Sequence, residues 1–204
     1  MFSPNGQALQ DAYVLNVLKF KRNGYFLEIG SHDAIFMSNT YKLEKEFDWT
    51  GLMVDFEQHY EDSYKTHRPN SKYIISDAQN VDYKSLFETY NFPENMDYLQ
   101  IDLEVHNKST LNTLLHLDAT LFDTYKFATV TFEHDIYRGD FFDTRAQSRA
   151  IFGKRGYVRV FSDVKGCENP FEDWYVHPDL VDMTYVNRIK REESMEVKDI
   201  VALF

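Results

Sequence analysis

The sequence predicts a doubly wound α/β fold built on a mostly parallel sheet, and two observations support this prediction. Short apolar runs alternate along the chain with segments whose apolar residues recur at three- and four-residue steps, the pattern of strands alternating with helices. The 204 residues are 43% hydrophobic and 16% aromatic, which is enough to bury the core of one domain. Strands separated by helices imply right-handed crossovers, so helices are expected on both faces of the sheet.

The elements are predicted in chain order. A first helix is indicated by apolar residues at Leu9, Ala12, Tyr13, Val17 and Phe20. Strands are predicted at 25–29, 51–55, 72–75, 97–102, 127–133 and 156–161. Helices are predicted between them at 39–47, 58–67, 83–90, 109–116 and 144–154. Segment 172–176 is expected to pair antiparallel with 157–161, and no form is assigned to the charged segment 188–201.

The charge and cysteine content exclude several classes of protein. The chain carries 33 acidic and 22 basic residues, a net charge of −11, which disfavours binding to nucleic acid or to an anionic membrane. Its one cysteine, Cys167, forms neither an internal disulfide nor a zinc cluster. No apolar run reaches the length of a membrane span, and the first residues do not resemble a secretory signal. A cytoplasmic protein is expected, and its oligomeric state is left open.

Acidic residues follow most of the predicted strands. Glu28, Asp55, Asp77, Asp102 and Glu133 lie at or near the carboxyl ends of five strands, where ligands bind in open α/β sheets. These carboxylates would repel one another if they were unpaired. A ligand with several hydroxyl and amine groups, or a metal ion, would relieve the repulsion.

The first strand–helix turn indicates a nucleoside-containing ligand. Gly30 has no Cβ and allows the backbone to approach a ligand closely. The turn lacks the G-x-G-x-x-G motif, which disfavours a dinucleotide. Asp55 follows Gly30 by 25 residues, a spacing that suits a carboxylate accepting both ribose hydroxyls. S-adenosylmethionine (SAM) fits these features, because its sulfonium is positive and would match an acidic pocket.

Two chemistries are open at the ends of strands four and five. Asp102, Glu133 and His134 offer oxygen and imidazole ligands for a divalent cation such as Mg²⁺. Alternatively, Glu133 pairs internally and His134 orients it. A hydroxyl acceptor would need a general base, for which His106 after strand four, His134 and His177 are candidates. The residues assigned to catalysis are His106, His134 and Glu133, and Asp102, Glu104, Glu133 and His134 are expected to converge on one pocket.

Several motifs, taken in order, resemble FkbM-type methyltransferases. The resemblance spans roughly residues 6–135 and departs from the family at Ala34, where the family has glycine, and after Glu104. The matching segments are Gly6-Gln7, Phe26-Leu-Glu-Ile-Gly-Ser-His-Asp33, Ser38-Asn-Thr-Tyr41, Leu43-Glu44, Trp49-Thr-Gly-Leu-Met-Val-Asp55, Asp97-Tyr-Leu-Gln-Ile-Asp-Leu-Glu104 and Phe132-Glu-His134.

The resemblance implies a Rossmann-like, class I methyltransferase fold: a mostly parallel seven-stranded sheet with an antiparallel edge strand. It implies one domain over 1–204, with an N-terminal helix at 1–24, a cofactor-binding core at 25–135 and an acceptor-side region with the C-terminal segment at 136–204. It also implies roles for the candidate residues. Glu28, Gly30 and Ser31 would flank the methionine part of SAM, Asp55 would bind the ribose, Asp77 and Ala78 would face the adenine, and Asp102 would lie beside the methionine amine or the reacting centre.

The expected activity is SAM-dependent O-methylation of a sugar or another small polar metabolite. Two alternatives stay open on the same fold. The first is a non-catalytic SAM-binding or interaction module, and the second is a nucleotide- or NAD-binding enzyme.

Overall fold

A computed structural model describes residues 2–204, and it contains one sheet with helices packed on both faces. The strands are β1 (Tyr25–Ile29), β2 (Thr50–Asp55), β3 (Lys72–Ile75), β4 (Asn95–Ile101), β5 (Lys126–Glu133), β6 (Val158–Gly166) and β7 (Asn169–Val176). The helices are α1 (Gln10–Val17), α2 (Tyr41–Phe47), α3 (Glu61–His67), α4 (Tyr83–Thr89), α5 (Ser109–Thr120), α6 (Phe142–Lys154), α7 (Met183–Ile189) and α8 (Val197–Val201). Over residues 2–204, none of these helices combines the length and the apolar composition that crossing a membrane requires.

The seven strands lie in the order β3-β2-β1-β4-β5-β7-β6. Neighbours from β3 to β5 are parallel, whereas β7 pairs antiparallel with both β5 and β6. The predicted mostly parallel α/β sheet with one antiparallel strand is confirmed, and that strand lies one place in from the edge, which β6 occupies. From β1 the chain adds strands toward one edge of the sheet, and from β4 it adds them toward the other edge. The carboxyl ends of β1 and β4 therefore border a crevice.

Several boundaries differ from the prediction, among them the ends of α1, α5 and β6. Helix α1 ends at Val17, before Phe20, because Lys19 and Phe20 adopt positive φ angles of 52° and 55° that interrupt the helix. Strand β6 extends to Gly166 because it pairs with β7 as a long hairpin, a contact that sequence periodicity does not report. The unassigned segment 188–201 holds the end of α7 and, after a connection, the short helix α8.

Strands β1, β2, β4 and β5 are buried on both faces, which explains why they read as nearly continuous apolar runs. Leu27, Leu52 and Leu99 face one helical layer, and Phe26, Met53 and Tyr98 face the other. Side chains alternate between the two faces of each strand, so each helical layer packs against its own apolar surface. This packing holds the strand ends rigidly and thereby positions the residues that follow them.

Candidate functional site

A cavity of about 920 Å³ opens at the carboxyl ends of β1, β2, β4 and β5. The structure brings all the residues predicted to bind a cofactor to this cavity, together with one of the predicted catalytic residues. These residues are Glu28, Gly30, Ser31, Asp55, Asp77, Ala78, Asp102 and Glu133. Ligand pockets of proteins commonly enclose 300–1,000 Å³. The cavity is therefore large enough for a nucleoside-containing ligand.

Gly30 lies where the backbones of β1 and β4 approach each other most closely. Its φ is +82°, and a Cβ placed on it would lie 1.8 Å from the backbone oxygen of Asp102. The Gly30 N–H donates to the Val54 oxygen at 2.9 Å, and the Ser31 hydroxyl donates to the same oxygen at 3.1 Å. The turn is thus anchored to β2 and has room only for glycine.

Asp55 ends β2 and holds its carboxylate at the cavity wall, with only 8% of the residue exposed. One oxygen accepts the backbone N–H of His32 at 2.7 Å, and the other accepts the backbone N–H of Glu57 at 2.8 Å. Each carboxylate oxygen can accept a second hydrogen bond. Asp55 is therefore a fixed acceptor pair with capacity left for two hydroxyl donors.

Asp77 and Ala78 line the cavity beyond β3, where Ala78 begins a short 3₁₀ turn, Ala78–Asn80. Asp77 caps this turn: one oxygen accepts the Gln79 N–H at 3.0 Å, and the other accepts from Asn80 Nδ2 at 3.0 Å. Asp77 therefore caps an ordinary turn and also lines the cavity wall. Ala78 is buried and supplies an apolar surface there.

Glu28 is tied to a buried ion cluster that the sequence did not reveal. Its carboxylate accepts the Thr40 hydroxyl at 2.6 Å and the Asn39 N–H at 3.1 Å, and it lies 3.9 Å from Arg68. Burial raises the pKa of Glu28, and Arg68 opposes that shift. The Arg68 guanidinium is fully buried and also binds Glu44 at 2.9 Å. Glu28 therefore anchors the loop that lines the cavity, in addition to bordering the cavity.

Three carboxyl groups face the cavity from the ends of β4 and β5: Asp102, Glu133 and Asp135. Burial raises the pKa of Asp102 and of Glu133. Asp102 and Asp135 raise the pKa of Glu133 further, whereas Glu133 lowers the pKa of Asp102. Asp135 was not predicted, although it follows the predicted residue Glu133 by only two positions. Gln100 was not predicted either; it lines the cavity, and its buried Oε1 has no hydrogen-bond partner among the described residues.

His134 does not join this group, which corrects the prediction that Asp102, Glu133 and His134 hold a metal ion. Its side chain is fully buried and points away from the cavity, with Nε2 3.4 Å from Asp163 and 3.6 Å from Asp173. The reason is geometric, because successive side chains on an extended chain point to opposite faces. The predicted convergence therefore holds for Asp102, Glu104 and Glu133 but fails for His134.

Arginine side chains already pair with the carboxylates beside His134. Arg149 binds Asp173 at 2.7 Å and Asp163 at 2.9 Å, and Arg145 binds Asp163 at 3.0 Å. Burial acts to raise the pKa of Asp173, but Arg149 and His134 outweigh it and hold that pKa below its usual range. The ligand atoms of His134, Asp163 and Asp173 lie within 4.8 Å of one another, and two guanidinium groups already pair with the two carboxylates, so the three residues belong to a partly buried ion network.

His106 also lies outside the cavity, contrary to the prediction that it faces the acceptor. Its side chain is 69% exposed, and its Nδ1 is 2.8 Å from the Glu104 carboxylate at the rim. The turn before α5 directs it toward solvent because Val105, and not His106, is the buried residue of that turn. His177 is buried beside the Tyr157 ring and does not line the cavity either. Of the three predicted catalytic residues, Glu133 lines the cavity, and His106 and His134 do not.

The architecture matches known methyltransferases, although no protein-family model and no curated protein matches the sequence. A structure named as an rRNA methylase from Clostridium thermocellum aligns with a TM-score of 0.57 at 11% identity, over 86% of this chain and 99% of that one. A TehB-like SAM-dependent methyltransferase from Corynebacterium glutamicum aligns at 0.53 and 13%, over 82% and 86%. A methyltransferase from Pyrococcus furiosus aligns at 0.53 and 16%, over 86% of each chain. At such identities the likeness establishes the fold alone, and this chain has the Rossmann-like class I methyltransferase fold.

Proposed function

We propose that the protein is a SAM-dependent methyltransferase of small polar acceptors. The observation that carries the proposal is the cavity at the β1–β4 crevice, which Gly30 lines and where Asp55 presents a fixed pair of acceptor oxygens. The residues present fit SAM. The acidic wall suits a ligand with positive charge, and the unpartnered oxygens of Gln100 and Asn39 lack the donor that an amine would supply.

In this proposal each part of SAM has a counterpart on the wall. Asp55 would accept the two ribose hydroxyls, and Ala78 with Asp77 would border the adenine. Gly30 and Ser31 would lie along the methionine part, and Asp102 would face its amine. Glu28 would act indirectly, by holding the loop at residues 39–40 through its two hydrogen bonds.

When bound, SAM would supply an electrophilic methyl group on a positively charged sulfur, which an acceptor oxygen displaces. Glu133 would take the proton that the acceptor hydroxyl loses. Burial and the neighbouring carboxylates raise the pKa of Glu133, which increases the basicity of its ionised form. Asp102 lines the same cavity and would stabilise the carboxyl proton after the transfer. No step of this proposal uses a metal ion, since His134, one of the three predicted ligands, lies beside Asp163 and Asp173 instead of in the cavity.

A small polar acceptor such as a sugar suits the cavity better than a nucleic acid does, although one structural neighbour is named as an rRNA methylase. The chain carries a net charge of −11, and acidic residues line the cavity, so a phosphate backbone would be repelled. The same repulsion disfavours an anionic membrane surface. O-methylation is the reaction expected from the resemblance to FkbM-type methyltransferases, a resemblance that no protein-family model bears out.

Replacement of Asp55 by asparagine tests the cofactor part. We expect SAM affinity, measured by calorimetry, to fall by about 1–3 kcal/mol because an amide replaces a charged acceptor of two hydroxyls. Thermal unfolding of the same variant reports any loosening of the turn that Asp55 holds. Asp62→Asn removes an equal charge from an exposed position on α3 and should leave the affinity unchanged. Equal SAM affinity in both variants would remove Asp55 from the site.

Replacement of Glu133 by glutamine tests the catalytic part. We expect formation of S-adenosylhomocysteine from SAM to slow by about 100-fold or more with sugar acceptors, since the variant lacks the base. SAM affinity should change little, because Glu133 is assigned to the acceptor side. His106→Ala should retain turnover, and so should the wild-type protein in the presence of a chelator. If His106→Ala lost turnover and Glu133→Gln retained it, the base would be His106 and not Glu133.

A further inference from the structure

Asp135 has an exposed fraction of only 4% and yet carries a carboxylate oxygen with no partner. Its Oδ1 is buried and accepts no hydrogen bond from the described residues, although the side chain lines the cavity. Buried carboxylate oxygens in folded proteins are nearly always paired. An orphaned oxygen at a cavity wall therefore marks a position where a ligand would donate a hydrogen bond.

The local backbone holds this side chain in place. The N–H groups of His134 and Asp135 both donate to the Phe171 oxygen, at 2.7 and 2.9 Å, which ties the end of β5 to β7. Asp135 then adopts a φ of +49°, a conformation that aspartate tolerates better than most residues. The carboxylate is thus positioned by the sheet and not by a mobile loop.

The second oxygen of Asp135 already contacts a cation. Arg138 Nε lies 3.2 Å from Asp135 Oδ2, while the Arg138 side chain is 57% exposed and also donates to the Tyr137 hydroxyl at 2.7 Å. Arg138 thus approaches from the solvent side and neutralises only one edge of the carboxylate. The other oxygen, Oδ1, is buried and has no hydrogen-bond partner among the described residues.

The surroundings of Asp135 favour a charged donor over a neutral one. Glu133 and Asp102 lie beside it, and Glu104 stands at the rim. Among the described residues that line the cavity, Arg138 is the sole lysine or arginine. Burial raises the pKa of Glu133 and of Asp102 and so disfavours their charged forms, a cost that a cationic ligand would offset and a neutral one would not.

We propose that Asp135 forms a recognition subsite for a cationic nitrogen, an ammonium or guanidinium group, carried by the methyl acceptor. This inference rests on the proposed function and narrows its acceptor to a polar molecule with a positive group. Asp135 is a specificity-determining residue here, whereas Glu133 meets the hydroxyl that reacts. Arg138 is a tethered cation that competes with the ligand for the same carboxylate.

The experiment compares two sugar alcohols that differ in one group. D-glucamine carries an ammonium where D-glucitol carries a hydroxyl, and each is titrated into the full chain by calorimetry, with and without SAM. We expect D-glucamine to bind about tenfold more tightly, as a charge-assisted hydrogen bond would allow. Asp135→Asn should remove this preference, and Arg138→Gln should strengthen D-glucamine binding by removing the competing cation.

The control is Asp123→Asn, which removes the same charge from a surface aspartate paired with Arg155 away from the cavity. It should keep the preference. Equal binding of the two probes, no detectable binding of D-glucamine, or a preference that survives Asp135→Asn would overturn the proposal. If Asp135→Asn does not fold, weaker D-glucamine binding in Arg138→Gln would overturn it, and stronger binding would support it.

Calorimetry with SAM distinguishes a failure of the cationic subsite from a failure of the proposed methyltransferase activity. A protein that prefers D-glucamine but does not bind SAM would retain the subsite and refute the proposed methyltransferase activity. A protein that binds SAM and shows no preference would retain the proposed activity and refute the cationic subsite.

Discussion

Replacement of Gly30 by valine is expected to prevent stable folding, and not only to block ligand binding. Any Cβ at this position would lie 1.8 Å from the backbone oxygen of Asp102, and the φ of +82° is strained for an L side chain. The neighbouring atom belongs to the backbone at the end of β4, so it has little freedom to move. We expect a loss of about 3 kcal/mol or more in the free energy of unfolding, measured in urea.

Gly153 provides the matched control for this substitution. It lies exposed in α6, and a Cβ there would meet nothing within 4 Å. Gly153→Ala should be neutral or stabilise the protein by up to about 1 kcal/mol, since glycine is a poor helix former. A Gly30→Val protein as stable as the wild type would show that β1 and β4 do not approach as described. Gly30→Val is therefore a poor probe of ligand binding alone.

Replacement of Arg68 by methionine is expected to destabilise the protein by about 3–5 kcal/mol, the usual effect of leaving a buried charge without its partner. Arg68 binds Glu44 at 2.9 Å and the Thr40 hydroxyl at 2.6 Å, and its side chain is fully buried. Methionine fills similar space but leaves the carboxylates of Glu44 and Glu28 unpaired. Urea unfolding at neutral pH measures the loss.

Two further variants separate charge from packing. Arg68→Met combined with Glu44→Gln should recover part of the stability, because the unpaired carboxylate is then absent. Arg22→Met removes an exposed partner of Asp48 and should cost less than about 1 kcal/mol. Equal losses for Arg68→Met and Arg22→Met would mean that the buried network does not support the fold. Ligand affinity should also fall in Arg68→Met, since Arg68 contacts the Ser38 hydroxyl in the cavity loop.

The sheet was predictable because its determinants are local. A strand buried on both faces requires a continuous apolar run, and an α/β crossover requires a helix between two such runs, so both leave a periodic signal in the sequence. The β6–β7 hairpin was only partly predicted. Its bounds depend on pairing between residues such as Phe161 and Trp174, and not on the character of either segment alone.

The candidate site was predictable where topology alone places a residue. The carboxyl ends of parallel strands meet at one edge of the sheet, and Gly30, Asp55, Asp102 and Glu133 therefore line one cavity as expected. The prediction failed where the direction of a side chain decides the outcome. His134 differs from Glu133 by one position and faces the opposite side of the sheet, and His106 points to solvent.

The α/β class, the order of the elements and the strand-end positions of the acidic residues follow from the sequence alone. The pairing of those acids became visible in the folded chain. Arg68 neutralises Glu28 from 40 positions along the chain, Arg149 neutralises Asp173, and Asp135 keeps one oxygen without a partner. The physical reason is that a charge interaction depends on distance and burial in space, and neither quantity is encoded in the spacing of residues along the chain.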